Sequence, residues 1–127
     1  MYSVEADSGK RVIVISAAGR VTEEELKGAV QEVREILKDA QPGFQLFTDF
    51  RWLQSMPASS ARYIADIMDA LAEKQIGSVI RVMPDTHKDI GLNILSRFHY
   101  DPKIPITTFD SLADALHSMA GEGETAS

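Results

Sequence analysis

Residues 12–37 read VIVISAAGRVTEEELKGAVQEVREIL and contain the transition that decides the fold. Val12–Ile15 is a β-branched run, which favours a strand. Thr22 and Glu25 then form a capping box, in which the threonine hydroxyl accepts from the helix backbone and the glutamate reaches back to the cap. Apolar residues follow at helical spacing, at Leu26, Val30, Val33 and Leu37. The stretch predicts a strand followed directly by an amphipathic helix.

Another strand is predicted just before this one. Ser3–Ala6 precedes the sequence Asp7-Ser8-Gly9-Lys10, whose aspartate, serine and glycine are typical hairpin turn residues. A hairpin turn joins antiparallel strands. We therefore expect the first two strands to pair antiparallel.

The alternation of strand and helix continues along the rest of the chain. Further strands are predicted at Phe44–Asp49, Ser78–Met83 and Ile106–Phe109. Helices are predicted at 61–74, around 90–98 and at 112–119. Strands that alternate with helices favour parallel pairing through right-handed crossovers. The predicted fold class is therefore α/β, with a mixed, mostly parallel sheet of about five strands and four helices in the order ββαβαβαβα.

Length and composition indicate a single domain. The chain has 127 residues, of which 44% are hydrophobic and 25% charged, as in ordinary globular proteins. We expect the domain to span residues 1–119. Residues 120–127 are small and polar, and they predict a disordered tail.

Composition also excludes several kinds of site and partner. The chain has no cysteine, which excludes disulfides, thiolate catalysis and cysteine-based metal sites. Its formal net charge of −6 works against binding to nucleic acid. The dispersed histidines predict no metal site, and no cofactor is expected. Since no signal peptide or membrane-spanning segment is recognisable, we expect a cytoplasmic protein.

Two predicted loops carry the candidate functional residues. In an open parallel sheet, functional groups collect beyond the carboxyl ends of the strands. The loop at 48–60 follows the third strand, and the loop at 84–89 follows the fourth. If these strands are neighbours, the two loops share one rim. The candidate partner-binding residues on this rim are Asp49, Arg51, Trp52, Ser59, Ser60, Asp85, Thr86 and His87.

Several of these residues also have a structural interpretation. Ser59 or Ser60 can cap the helix that follows, which is the usual role of serine at such a position. Asp49 can fix a turn through its own backbone. Trp52 and Arg51 belong to the residue types most enriched at interface hot spots. The favoured interpretation is nevertheless that Trp52 folds down as a lid over the core at the end of the sheet.

Three segments together resemble the STAS family, and especially its SpoIIAA-like branch of anti-sigma factor antagonists. They are the strand that ends in Asp49-Phe50, the Ser59-Ser60 pair at a helix start, and the closing strand and helix at 107–116. The resemblance implies a regulatory, non-enzymatic module that binds a protein partner. It also implies that Ser59 occupies the position that a partner kinase phosphorylates, with Pro57 and Ser60 at the positions of the family motif's aspartate and glycine.

The leading hypothesis is thus a STAS-like binding module that presents the rim to a protein partner, and that could form a homodimer. One rival is a carrier for a small apolar ligand between the third helix and the sheet, in a pocket formed by Ile94, Leu95, Phe98 and Tyr100. The other rival is a small enzyme that uses His87 and Asp49, which would have to converge in a polar cleft.

Overall fold

The computed structural model describes the backbone of residues 1–126 and the side chains of residues 1–85 and 87–120. Its strands are β1 (Tyr2–Ala6), β2 (Val12–Arg20), β3 (Gln45–Ser55), β4 (Ser78–Val82) and β5 (Ile106–Phe109). Its helices are α1 (Glu23–Leu37), α2 (Ser60–Glu73), α3 (Thr86–His99) and α4 (Leu112–Ala126). The predicted order of elements is confirmed.

The strands form one mixed sheet in the order β1-β2-β3-β4-β5. β1 pairs antiparallel with β2, and the remaining neighbours are parallel. Each parallel crossover moves one strand in the same direction, and right-handed crossovers of this kind place their helices on one face of the sheet. α1, α2 and α3 accordingly lie together, and the predicted fold class is confirmed.

Alternating side chains of the strands face two separate apolar layers. Ile13, Leu46 and Val79 pack with residues of α1, α2 and α3. Phe47 and Ile80, each next to one of these residues in its strand, pack instead with Ala115 of α4. The contacts of α4 with the sheet are mainly to β4 and β5. One face therefore carries three helices, and the other carries α4 over the β4–β5 side.

α1 begins at the capping box that the sequence predicts. The Thr22 hydroxyl accepts from the Glu25 backbone N–H at 3.2 Å. The Glu25 carboxylate in turn accepts from the Thr22 backbone N–H at 3.2 Å. Both bonds satisfy amide donors that a helix start leaves without partners.

Two loops meet at the amino ends of β3 and β4. The Gly43 N–H donates to the Gln75 carbonyl at 2.7 Å, and the Gly77 N–H donates to the Phe44 carbonyl at 2.7 Å. Gly43 has a φ of 83°, which favours glycine. A Cβ atom on Gly77 would collide with the Gly43 backbone. Glycine at both positions lets the loops approach and aligns the two strands.

β3 is longer than the predicted strand, and this corrects the predicted loop. It continues through residues 50–55, where it pairs with the second half of β2. Between the pairs Ser16–Asp49 and Ala18–Trp52, β3 advances one residue more than β2, which is a β-bulge. Asp49, Arg51 and Trp52 therefore lie in a strand and not in a loop.

The end of the chain also differs from its predicted boundary. The backbone of α4 continues through residues 120–126, where the sequence predicts a disordered tail. Ser127 lies outside the described residues. α4 thus extends beyond residue 119, the predicted end of the domain.

Candidate functional site

The start of α3 is held by charged side chains at the carboxyl edge of the sheet. The Asp85 carboxylate accepts from the backbone N–H groups of His87 and Lys88, at 2.9 and 3.4 Å. These bonds hold the pKa of Asp85 below its ordinary value. Lys88 Nζ lies 3.0 Å from the Leu53 carbonyl oxygen, which ties the first turn of α3 to β3. Asp85 therefore caps α3, while the His87 side chain is exposed.

Ser59 and Ser60 lie at the start of α2, as predicted. The Ser60 N–H donates to the Pro57 carbonyl at 2.9 Å. Ser59 has the N-cap position, but among the described residues its hydroxyl makes no capping hydrogen bond. Ser59 as a helix cap is therefore a wrong prediction, because its backbone already has helical dihedral angles, with φ −72° and ψ −6°.

Asp49, Arg51 and Trp52 form a compact cluster on β3. Arg51 Nε and Nη2 lie 2.9 Å from the two carboxylate oxygens of Asp49. This bidentate pair holds the pKa of Asp49 below its ordinary value. The Arg51 guanidinium also lies 5.5 Å from the centre of the Trp52 ring. The Trp52 side chain is 67% exposed, so the prediction of a core lid is wrong.

The predicted rim is divided between the two faces of the sheet. Asp49 pairs with Val82, whose side chain packs on the α4 face. α2 and α3 lie on the opposite face. The Asp49–Arg51–Trp52 cluster is thus separated from the starts of α2 and α3. The same division places Asp49 and His87 on different faces, which does not give the convergent pair that the enzyme hypothesis requires.

α3 presents apolar side chains to the outside. Ile90, Ile94 and Phe98 are 56%, 49% and 81% exposed, and their spacing of four residues aligns them along one side of the helix. Leu95 packs against the core and Tyr100 is buried. The predicted pocket formed by Ile94, Leu95, Phe98 and Tyr100 is therefore wrong, because these side chains point in two directions. We call Ile90, Ile94 and Phe98 the α3 stripe.

A polar cluster that the sequence analysis missed fastens the inner side of α3. The Arg81 guanidinium on β4 is buried, and it donates to Asn93 Oδ1 at 2.7 Å and to the Ser96 hydroxyl at 2.5 Å. The Asp89 carboxylate lies 3.7 Å from the guanidinium and accepts from the Thr108 hydroxyl of β5 at 2.9 Å. Burial holds the pKa of Arg81 below its ordinary value, and the neighbouring Asp89 offsets only part of this effect. The only sequence signal was an arginine inside an otherwise apolar strand.

The cavities at α3 are small or open. A largely apolar cavity of about 80 Å³ lies between the sheet and the helices, and Leu92 and Tyr100 belong to its lining. This is far below the roughly 300 Å³ at which small-molecule pockets begin. A more open cleft of about 430 Å³ lies where α3 ends, and its mixed lining includes Asn93 and Arg97 as well as Ile104 and Ile106.

Two properties of the described residues bear on function. No group of three or more metal-ligating side chains occurs among them. None of the helices in the described part of the chain is both long and apolar enough to cross a bilayer. Thr86 begins α3, but its side chain lies outside the described part.

Known structures resemble the fold over nearly the whole chain. No known family model and no curated protein matches the sequence. An uncharacterised DUF3478 protein from Shewanella loihica, with a SpoIIAA-like fold, superposes with a TM-score of 0.68 at 15% identity, over 93% of this chain and 91% of that one. An anti-sigma factor antagonist from Mycobacterium paratuberculosis gives a TM-score of 0.59 at 20% identity, over 94% and 93% of the two chains.

The third similar structure is the anti-sigma factor antagonist SpoIIAA in its unphosphorylated form. It gives a TM-score of 0.65 at 12% identity, over 94% of this chain and 97% of that one. The chain therefore has a SpoIIAA-like fold.

Proposed function

We propose that this protein is a non-enzymatic regulatory module that binds another protein through the α3 stripe and the adjoining start of α3. The single observation that carries the proposal is the orientation of α3. Its polar residues Asp89, Asn93 and Ser96 face the sheet, whereas Ile90, Ile94 and Phe98 are exposed. An apolar helix side that faces outward typically marks an interaction surface.

The surroundings of the stripe favour a protein as the partner. Exposed His87 lies near its amino end, and exposed Arg97 lies beside Phe98. A group of apolar residues that is surrounded by polar residues is the usual arrangement of a protein–protein interface. The two anti-sigma factor antagonists with this fold are named for action on other proteins, which supports the same class of function here.

The test is to replace the α3 stripe and to measure partner binding. A variant with Ile90→Ser, Ile94→Ser and Phe98→Ser should lose partners that the wild-type protein captures from its own cell extract. Its melting temperature should change little, because exposed positions contribute little to packing. A purified partner should then bind the wild-type protein in calorimetry and bind the variant at least about tenfold more weakly.

Leu116→Ser is the matched control, because Leu116 is an exposed apolar residue on α4. It should leave partner binding intact. If the stripe variant keeps every partner, the binding surface lies elsewhere. If the stripe binds lipid vesicles and no protein, the proposed function is wrong.

A further inference from the structure

We propose that the free edge of β1 binds an extended, basic segment of a partner protein as a sixth strand of the sheet. This site is separate from the α3 stripe. α3 is fastened to β4 and β5, whereas β1 forms the other edge of the sheet. The inference therefore goes beyond the proposed function, and neither depends on the other.

The backbone of β1 is oriented for strand addition. Met1 and Ala18 exchange two hydrogen bonds, at 3.1 and 2.8 Å, and the Asp7 N–H donates to the Val12 carbonyl at 3.1 Å. In an antiparallel pair, every second residue bonds to its partner strand. Met1, Ser3, Glu5 and Asp7 therefore bond to β2. The N–H and C=O groups of Tyr2, Val4 and Ala6 point away from β2, to the free edge.

The two edges of the sheet differ in how they discourage pairing. Proline and lysine residues commonly protect edge strands against pairing with another chain. β5 has four residues, directly preceded by Pro105, with Lys103 two residues before that. β1 has five residues and contains neither proline nor lysine. The β1 edge is the one left open to a further strand.

The charges beside β1 favour a basic partner. Glu5 projects from β1 and is exposed, and exposed Glu32 on α1 accepts from the Tyr2 hydroxyl at 2.9 Å. Within the described side chains, neither carboxylate takes part in an ion pair. Acidic groups thus lie beside the edge, ready for lysine or arginine of an added strand.

A shallow depression gives such a strand a place for a side chain. It has a volume of about 170 Å³ and lies on the face that carries Trp52. Ser3, Ser16 and Ala18 form part of its lining, and exposed Trp52 and partly buried Asp49 bound it. A long basic side chain that crosses the small serine residues would extend toward the exposed indole ring, which already lies 5.5 Å from the Arg51 guanidinium and attracts cations.

The first experiment uses synthetic ten-residue peptides in which lysine alternates with valine, and matched peptides with glutamate in place of lysine. Trp52 is the only tryptophan in the chain, so its fluorescence reports on this site. The lysine peptide should bind with a Kd below about 1 mM and the glutamate peptide should not bind. On binding, the amides of Tyr2, Val4 and Ala6 should gain protection from hydrogen exchange, while those of Ser3 and Glu5 stay unchanged.

Variants separate strand addition from general charge attraction. Val4→Pro removes an amide that points to the free edge and leaves the bonds to β2 in place, and it should abolish binding. Glu5→Gln with Glu32→Gln should weaken binding about three- to tenfold. The control Asp66→Asn with Glu73→Gln makes the same charge change at exposed positions on α2 and should have little effect.

Each contrary outcome overturns the inference. These are equal binding of the lysine and glutamate peptides, no binding of either, protection confined to other amides, and equal effects of the two charge variants. If Val4→Pro does not fold, the hydrogen-exchange pattern and the two charge variants still test whether the peptide adds to β1. The α3 stripe is unchanged in all these proteins, so a failure here does not affect the proposed function.

Discussion

The Arg81 guanidinium on β4 lies 2.7 Å from the side-chain amide oxygen of Asn93 on α3. This bond and its neighbours attach α3 to the sheet through polar groups, in addition to the apolar contacts that Leu92 and Leu95 make with the core. Because Asn93 and Ser96 face inward beside Leu92, the apolar residues Ile90, Ile94 and Phe98 remain exposed for contact with another molecule. The buried cluster and the α3 stripe are thus two consequences of one helix orientation.

Replacement of Arg81 should destabilise the fold strongly. Arg81→Ala removes two charge-assisted hydrogen bonds and leaves Asn93, Ser96 and Asp89 without their buried partner. We expect a loss of about 3 kcal/mol in the free energy of unfolding, measured by urea denaturation. Arg97→Ala, at an exposed position on the same helix, should cost less than about 0.5 kcal/mol. Equal losses for the two variants would show that the cluster contributes no special stability.

The sequence predicts α3 as a helix, but it does not predict which side is buried. The apolar positions Ile90, Ile94 and Phe98 recur at helical spacing, and such a stripe usually faces the core. The inward side of α3 carries Asn93 and Ser96, which bond to Arg81 on a different element, β4. Pairing between distant residues leaves no local pattern, so the predicted pocket at α3 was wrong although the helix itself was predicted.

The close contact between the Gly43 and Gly77 loops should make Gly77 intolerant of any side chain. In Gly77→Ala, the added methyl group would meet the backbone of Gly43, which cannot rotate away as a side chain could. We expect a destabilisation of about 1–3 kcal/mol, read from the urea midpoint. Gly91→Ala is the control, since a Cβ atom there meets nothing within 4 Å among the described residues and alanine favours a helix. A stable Gly77→Ala variant would mean that the loops can separate at little cost.

The third strand shows how a β-bulge can conceal the second half of a strand from sequence-based prediction. Leu46, Thr48 and Phe50 alternate on the face of the sheet that carries α1, α2 and α3. Leu53, which is also buried, follows Phe50 after three residues and not after two. The extra residue in β3 breaks the two-residue period on which strand prediction depends. The absence of glycine and proline before Pro57 was the one signal that the strand continues. By contrast, the capping box of α1 and the opening hairpin are local patterns, and both were predicted.

Ser59→Ala should leave stability nearly unchanged. Among the described residues its hydroxyl makes no capping bond to α2, so the usual loss of about 1 kcal/mol for a capping serine does not apply. Asp85→Ala is the comparison, because Asp85 caps α3 and should cost about that amount. Thermal unfolding of both variants checks this. A loss for Ser59→Ala as large as that for Asp85→Ala would show that the serine does cap its helix.

Stability should depend on pH through Asp49. Arg51 lowers the pKa of Asp49 in the folded state, so this carboxylate stabilises the protein above the unfolded-state pKa of about 3.9. The contribution is lost as the pH falls through the lower folded-state value. Asp49→Asn should therefore unfold more easily than wild type at pH 7, by about 1 kcal/mol, and the difference should shrink below about pH 4. Urea unfolding of both proteins from pH 7 to pH 3 measures this, and a difference that stays constant with pH would mean that the Asp49–Arg51 pair does not stabilise the fold.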